Sequence, residues 1–173
     1  DEFVDVLALR DGPAFLRHLS LVHPRYGQGA YAARMTTPTD SAQDAARQGP
    51  FFIVLNAGSG RNASDDTQQI IAGVLAAAGR AHEFLLLQDA AQIEQIAARA
   101  VALAKEQRGI VVAAGGDGTI NAVAQAALGS GCPFGVIPQG TFNYFARTHG
   151  IPADPAEAVH LLLRSAPVPV QVA

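Results

Sequence analysis

Short apolar runs alternate with amphipathic segments along most of the chain after residue 50. Nearly every position in each run is apolar, which is typical of strands that are buried on both faces of a parallel sheet. These runs predict strands at 51–55, 83–87, 110–114, 134–137 and 168–172. Between them, the spacing of apolar residues predicts helices at 65–78, 91–105, 119–128, 142–148 and 155–163. The alternation predicts a doubly wound α/β fold, with a mainly parallel sheet and helices on both faces.

Three of the predicted helices carry a clear apolar stripe, so each should bury one face. The stripes consist of Ile70, Ile71, Val74 and Leu75 in the first helix, Ile93, Ile96, Ala100 and Val101 in the second, and Ile120, Val123, Ala124 and Ala127 in the third. No internal repeat accompanies this pattern.

The chain before residue 51 has a different character. Residues 35–50 are polar, contain two prolines and lack a sustained apolar period, which favours a linker. Residues 1–34 form an unassigned strand-helix segment, with a strand predicted at 3–9, a turn at Asp11-Gly12 and a helix at 13–22. The predicted division is therefore this segment, the linker and an α/β domain at 51–173.

Composition excludes several classes of protein. The net charge is −3 without a long run of Lys or Arg, which disfavours a nucleic-acid partner. The single cysteine, Cys132, cannot form an internal disulfide, and we expect a reducing, cytoplasmic setting. No apolar stretch approaches the roughly 20 residues that cross a bilayer, so any membrane contact should be peripheral. Because the chain starts at Asp1 and stops after a predicted strand, we expect a fragment or a processed chain.

Ligands of doubly wound sheets bind at the carboxyl ends of the strands, so the loops there are candidate sites. The first such loop contains Asn56, Gly58, Ser59 and Gly60. Its glycines allow backbone N–H groups to turn toward an anion, and Ser59 adds a hydroxyl donor. An ordinary turn between a strand and a helix would explain the same residues.

The second loop is more specific, because it leads from a strand directly into a helix. Gly115, Gly116 and Gly118 surround Asp117 and allow a phosphate to approach the backbone, while Thr119 offers a hydroxyl donor. A phosphate repels a carboxylate unless a metal ion or a proton intervenes. Asp117 is therefore a candidate Mg²⁺ ligand, or a base toward an incoming hydroxyl. The simpler alternative is that Asp117 caps its own helix.

The third loop again joins a strand end to a short helix. Gly140 allows a tight turn, and Thr141 and Asn143 carry side chains suited to phosphate, ribose or base edges. We expect Phe142 and Phe145 to pack inward. A capped turn without a ligand remains an alternative.

Few cations or metal ligands accompany these loops. Arg61 and Arg147 are their basic residues, and a solvated or salt-bridged arginine is the more common case. His82, His149 and His160 show no metal-ligand spacing, so we expect them to be structural or exposed.

Three segments together resemble the catalytic domain of the diacylglycerol kinase family, which includes sphingosine kinases and bacterial lipid kinases and is distantly akin to NAD kinases and phosphofructokinases. They are NAGSG at 56–60, GGDGTINAV at 115–123 and IPQGTFNYFAR at 137–147. The resemblance covers about residues 51–172 and implies the nucleotide-binding domain of the diacylglycerol kinase or NAD kinase-like fold.

The resemblance implies an ATP-dependent lipid kinase that uses ATP and Mg²⁺ and phosphorylates diacylglycerol or a related lipid at a membrane surface. ATP would lie between this domain and a following β-sandwich domain, which is absent from this chain and in bacterial members carries a further acid that looks like the general base. A homodimer is compatible with this picture, and a nucleic-acid partner is not expected. Asp117 would be the catalytic and metal-linked residue. The nucleotide would contact Asn56, Ser59, Gly60, Gly115, Gly116, Asp117, Gly118, Thr119, Gly140, Thr141 and Asn143.

Two other functions stay open. An NAD kinase-like enzyme would share Gly-Gly-Asp-Gly but not the run from Gly140 to Arg147. A catalytically inactive nucleotide-sensing module is suggested by the missing second domain, by Ala122 in place of a common Glu and by Tyr144 in place of the Asp of eukaryotic-type members. Ala57 also departs from the family pattern, in which Pro is usual. A dinucleotide-binding dehydrogenase is disfavoured, because the first loop lacks a third glycine and no acid ends the second strand of the domain.

Overall fold

The described part of the chain builds one mixed sheet. The computed structural model of the protein describes residues 2–8, 48–57, 61–140 and 142–172. Within them, a six-stranded sheet has the order β3-β2-β4-β5-β1-β6. The strands are β1 (Glu2–Ala8), β2 (Phe51–Asn56), β3 (His82–Leu87), β4 (Ile110–Gly115), β5 (Phe134–Pro138) and β6 (Ala166–Val172).

Helices connect these strands. They are α1 (Arg61–Ala77), α2 (Ile93–Gln107) with a 3₁₀ turn before it (Ala90–Gln92), α3 (Asp117–Ala127), α4 (Tyr144–Thr148) and α5 (Pro155–Arg164). α1 packs against α5, and α2 packs against α3. The chain passes from β2 to β3 in one direction across the sheet and from β3 through β4 to β5 in the other. With right-handed crossovers, α1 and the α2–α3 pair therefore cover opposite faces.

The central strands are buried, as their apolar runs predict. β3, β2, β4 and β5 pair in parallel, and every residue of β4 and β5 is buried. β3 lies at the edge, and its exposed and buried residues are mixed accordingly. The predicted α/β fold with a parallel sheet is confirmed.

The helical stripes are mostly buried where the spacing predicts. All four stripe residues of α3 are buried, and in α1 so are Ile71 and Leu75. Ile70 is an exception, because 42% of its surface is exposed. It lies at the rim of the stripe, where adjacent helical residues diverge by about 100°.

The first predicted strand belongs to the same sheet. β1 pairs in parallel with β5 and antiparallel with β6 along its whole length. The predicted turn at Asp11-Gly12, the helix at 13–22 and nearly all of the predicted linker lie outside the described residues. The domain boundary proposed near residue 34 therefore stays a prediction.

Two helices begin earlier than predicted. α1 begins at Arg61 rather than at residue 65, and α3 begins at Asp117 rather than at residue 119. The early start of α3 was not predicted because Gly118 lies in its first turn, and glycine lowers helix propensity. The first N–H groups of a helix have no partner within the helix, so the sequence can place a ligand-binding loop there.

Arg80 fixes the start of β2. Its guanidinium donates a hydrogen bond to the Gly49 carbonyl oxygen at 2.6 Å and lies 4.7 Å from the centre of the Phe51 ring. Partial burial lowers the pKa of the Arg80 guanidinium. The turn after α1 thus holds the chain where it enters the sheet.

We expect Gly109→Ala to destabilise the protein by about 1–3 kcal/mol, the usual cost of overpacking. A Cβ at this position would lie 2.6 Å from the Pro50 carbonyl oxygen and 2.7 Å from a ring carbon of Phe52. That carbonyl also accepts a hydrogen bond from the Ile110 N–H at 2.8 Å, so it cannot move without cost. Urea denaturation measures the change.

Gly73→Ala provides the matched control. Gly73 lies within α1, and a Cβ there would meet open space. We expect a gain of about 0.5–1 kcal/mol from helix propensity. If Gly109→Ala were as stable as the wild type, Gly109 could not pack tightly against Pro50 and Phe52 at the start of β4.

Candidate nucleotide-binding site

The connections that follow β2 and β4 create a crevice at the carboxyl ends of these strands. These strands are neighbours, but the chain leaves β2 toward α1 on one face and leaves β4 toward α3 on the other. A doubly wound sheet binds its ligand at such a switch point, beyond the carboxyl ends of the strands. The loops after β2 and β4 are the first two that the sequence singles out.

The loop Gly115–Thr119 forms the centre of this crevice. Gly116 is the N-cap of α3 and has an extended backbone without a side-chain cap. Thr119 is buried, and its side chain packs against Gly115. A Cβ at Gly115 would lie only 2.8 Å from the Thr119 hydroxyl oxygen. Gly118 faces open space instead. The loop therefore has one glycine that makes room for Thr119 and one that leaves its backbone accessible.

The end of β2 contacts this loop through a side chain. Asn56 Nδ2 donates a long hydrogen bond of 3.5 Å to Thr119 Oγ1. Ser59 and Gly60, the other residues predicted here, lie outside the described residues. Of the first predicted loop, the structure thus places Asn56 beside Thr119.

The loop after β5 borders the same crevice. The Gln139 N–H donates to the Gly115 carbonyl oxygen at 2.8 Å, which continues the β4–β5 pairing beyond Pro138. Asn143 adopts the left-handed conformation, with φ 46° and ψ 50°, and its Nδ2 donates to the Gly140 carbonyl oxygen at 2.7 Å. Thr141 lies outside the described residues. Gly140 and Asn143 are thereby placed next to the loop Gly115–Thr119.

Two buried polar atoms of this loop lack a hydrogen-bond partner within the described part of the chain. They are the acceptor Asn143 Oδ1 and the donor Gln139 Nε2. Asn143 is only 8% exposed, and its Nδ2 contact with Gly140 fixes which amide atom is left over. Leaving such groups unpaired costs about 1–3 kcal/mol each, so a ligand or a water molecule that pairs them would recover that cost.

Gln139 is a residue that the sequence did not single out. Its signal was its place between the end of β5 and Gly140, which is the position where ligands of parallel sheets bind. Asn143, by contrast, was predicted. The αL conformation costs a non-glycine residue about 1–3 kcal/mol, although asparagine tolerates it best, and such strain is common at functional sites.

Asp117 contacts a helix other than its own. Its Oδ2 accepts from the Tyr144 N–H at 3.2 Å, and its Oδ1 from the Phe145 N–H at 3.4 Å. The N-cap of α3 is Gly116, so Asp117 is not the cap of α3. The carboxylate instead caps α4, and each oxygen keeps a lone pair for a further ligand.

The expectation that Phe142 packs inward is wrong. Phe142 is 63% exposed and stacks on the exposed Tyr144, with ring centroids 5.9 Å apart and planes 3° from parallel. Phe145 does pack inward, edge-on to Phe134 at 6.3 Å. α4 begins only at Tyr144, so Phe142 and Phe145 are not successive residues of one helical face.

A groove of about 360 Å³ runs between α3 and α4, beside Asp117. Apolar side chains of Ile120, Ala124 and Phe145 line part of it. Its polar lining includes Asn121 and Thr148. The groove extends the candidate site away from the glycine-rich loop.

The described residues contain no cluster of three or more His, Cys, Asp or Glu that could hold a metal ion. Asp117 is the acidic residue among those that line the groove. His149 packs against Phe145 with ring centroids 4.5 Å apart, and His160 is exposed. None of the helices in the described ranges has the length and apolar character needed to cross a membrane.

The chain matches known proteins in sequence and in fold. Residues 50–173 match the family model described as diacylglycerol kinase catalytic domain. The chain belongs to this family. The match spans all three loops of the site and leaves out the segment before residue 50.

Several relatives are lipid kinases by name. The chain is 48% identical over 65 residues to a probable lipid kinase YegS-like from Klebsiella pneumoniae, covering 36% of this chain and 22% of the relative. It is 31% identical over 115 residues to a probable lipid kinase YegS-like from Pseudomonas putida, covering 65% and 38%. The matched part thus spans well under half of these relatives.

Solved structures show the same fold. A putative diacylglycerol kinase from Bacillus anthracis aligns with a TM-score of 0.56 at 26% identity, covering 66% of this chain and 39% of that chain. A second diacylglycerol kinase structure from the same organism aligns with a TM-score of 0.56 at 24% identity, covering 66% and 43%.

Proposed function

We propose that this chain supplies the ATP-binding half of a kinase that transfers the γ-phosphoryl group of ATP to a lipid hydroxyl, on diacylglycerol or a related lipid. The observation that carries this proposal is the meeting of the end of β2 with the loops after β4 and β5 at the switch point, with Gly115–Thr119 at its centre. Membership of the diacylglycerol kinase catalytic domain family supports the same reaction.

The phosphates of ATP fit the start of α3. Gly118 leaves the backbone open there, and the first N–H groups of α3 lack partners within the helix. The helix dipole adds positive potential at the same end. In this proposal the Thr119 hydroxyl adds a donor, and Ser59, Gly60 and Thr141 complete the set that the sequence predicts.

The sugar or base of the nucleotide fits the loop after β5. Asn143 Oδ1 can accept from a hydroxyl or an exocyclic amine, and Gln139 Nε2 can donate to a ring nitrogen or an oxygen. Both atoms are buried without a partner in the described chain, so a ligand that pairs them recovers their desolvation cost.

Asp117 is the residue that would hold Mg²⁺ in this proposal. When bound, Mg²⁺ supplies neutralisation of the charge on the transferring phosphoryl group. Asp117 fits because each of its oxygens keeps a lone pair while it caps α4. We assign it no role as general base.

The proposed setting follows from the proposed substrate. We propose that the kinase works in the cytoplasm and meets its lipid at a membrane surface by peripheral association. The net charge of −3 gives no support for a nucleic-acid partner. The proposal includes a homodimer, although no contact among the described residues supports one.

A transfer assay separates this function from the two alternatives. We expect the full-length protein to move radiolabelled phosphate from γ-labelled ATP to diacylglycerol or a sphingoid base in mixed micelles, and not to NAD. Labelled NADP would favour the NAD kinase-like alternative. ATP binding without a product from any acceptor would favour the nucleotide-sensing module.

A further inference from the structure

The helix α4 is short, and its N-terminus is capped from outside. It has five residues, which is too few for an isolated helix to be stable in water. Asn143 occupies the N-cap but makes no side-chain cap hydrogen bond. The N–H groups of Tyr144 and Phe145 donate instead to the two oxygens of Asp117, which lies 27 and 28 positions earlier in the chain.

We infer that Asp117 is a positioning residue for Asn143, in addition to any contact that it makes with metal or phosphate. The carboxylate ties the start of α4 to the loop Gly115–Thr119. Asn143 directly precedes α4, and its carbonyl oxygen accepts from the Arg147 N–H at 2.9 Å. The orientation of Asn143 thus depends on where α4 begins, and Asp117 fixes that point.

The geometry of Asn143 makes this dependence matter. Its backbone is in the strained left-handed region, and its unpaired Oδ1 lies over Gly140, 3.2 Å from where a Cβ would stand. Two supports hold it there, which are its own Nδ2 contact with Gly140 and the anchored start of α4. Losing the second support lets the residue relax to an ordinary conformation, which turns Oδ1 away from the ligand.

The rest of α4 has other anchors, so loss of the cap should loosen its start rather than unfold the protein. Ala146 is buried, and its carbonyl oxygen accepts from the Ile151 N–H at 2.8 Å. Phe145 packs against Phe134. An Asp117→Ala variant is therefore expected to fold, which allows the inference to be tested directly.

The first test is amide hydrogen exchange in the full-length protein without nucleotide. In Asp117→Ala we expect the Tyr144 and Phe145 amides to exchange about tenfold faster, the size of effect that loss of an N-cap produces. Asp154→Ala is the matched control, because Asp154 caps α5 through the Glu157 N–H at 2.9 Å. It should speed exchange at Glu157 and leave Tyr144 and Phe145 unchanged.

The second test asks whether Asp117 acts through Asn143. It measures adenosine affinity in EDTA, so that neither a metal contact nor repulsion between Asp117 and the phosphates contributes, and it rests on the proposed function. Asp117→Ala and Asn143→Ala should each weaken binding by about tenfold, and the double variant should be no weaker than either, as expected for coupled residues. Asp117→Asn keeps one of the two acceptor oxygens and should recover part of the loss. Asp154→Ala should bind as the wild type does.

The outcomes separate the inference from the proposed function. Unchanged exchange at Tyr144 and Phe145 in Asp117→Ala would overturn the inference, and so would additive losses of affinity in the double variant. A wild-type protein that binds no ATP would remove the proposed function instead. In that case faster exchange in Asp117→Ala would still uphold the part of the inference that concerns the start of α4.

Discussion

Asp117→Asn is expected to abolish phosphoryl transfer while leaving the fold intact. Asparagine matches the size of aspartate and keeps one oxygen to accept a hydrogen bond from the start of α4. It removes the negative charge of the carboxylate, which would hold Mg²⁺ in our proposal. Loss of a preorganised electrostatic contact lowers kcat by about a hundredfold or more. Steady-state transfer to lipid in mixed micelles measures the effect, and thermal unfolding checks the fold.

Asp154→Asn is the control for this change. Asp154 is also a helix cap, but it caps α5 and lies in a separate loop of the chain. We expect its kcat to equal that of the wild type. Wild-type turnover in Asp117→Asn would show that the charge at this position has no part in the reaction.

Gly118→Ala is expected to weaken ATP binding strongly without lowering stability. A Cβ at this position meets open space in the protein alone, so the methyl group fits, and alanine favours the first turn of α3. In the complex, the methyl group occupies the space through which a phosphate approaches the backbone. Hydrogen bonds to charged groups contribute about 1.5–3 kcal/mol, which predicts a ten- to hundredfold loss of affinity.

Gly73→Ala separates this effect from a general consequence of replacing a helical glycine. Gly73 also faces open space in a helix, but it lies in α1, away from the three loops. Gly73→Ala should bind ATP with the affinity of the wild type, as measured by isothermal titration calorimetry. If Gly118→Ala bound ATP as tightly as Gly73→Ala does, the phosphates could not lie at the start of α3.

Most of the fold could be predicted because its signals are local and repeated. Strands such as β4 are apolar at every position, and the stripe of α3 recurs at helical spacing, so each element carries its own evidence of burial. Once the strand order is known, the right-handed crossover gives the face of the sheet that each helix covers. The pairing of β1 with β6 was not predictable, because nothing within either segment names its partner.

Side-chain orientation at element ends was harder to predict. Phe142 was expected to pack inward, as Phe145 does, but α4 begins two residues after Phe142, beyond the left-handed Asn143. A single unusual φ value reverses where a neighbouring side chain points, and no period in the sequence reports it. Ile70 shows a milder form of the same limit at the rim of a stripe.

The candidate site was predictable in its parts but not in its connections. The sequence singles out Asp117 and Asn143 by residue type and by their places after strands. It does not show that the Asp117 carboxylate reaches α4, because this contact joins a segment that follows β4 to one that follows β5. Gln139 was missed for a related reason, since its importance lies in an unpaired buried atom and not in its residue type.

The central claim is that ATP binds where the end of β2 meets the loops after β4 and β5. Titration of the isotope-labelled full-length protein with ATP and Mg²⁺, followed by its amide resonances, tests this most directly. We predict that the largest shifts fall on Gly115–Thr119 and on Gln139, Gly140 and Asn143. Largest shifts at the β1–β6 edge, or no shifts at these loops under saturating ATP, would contradict it.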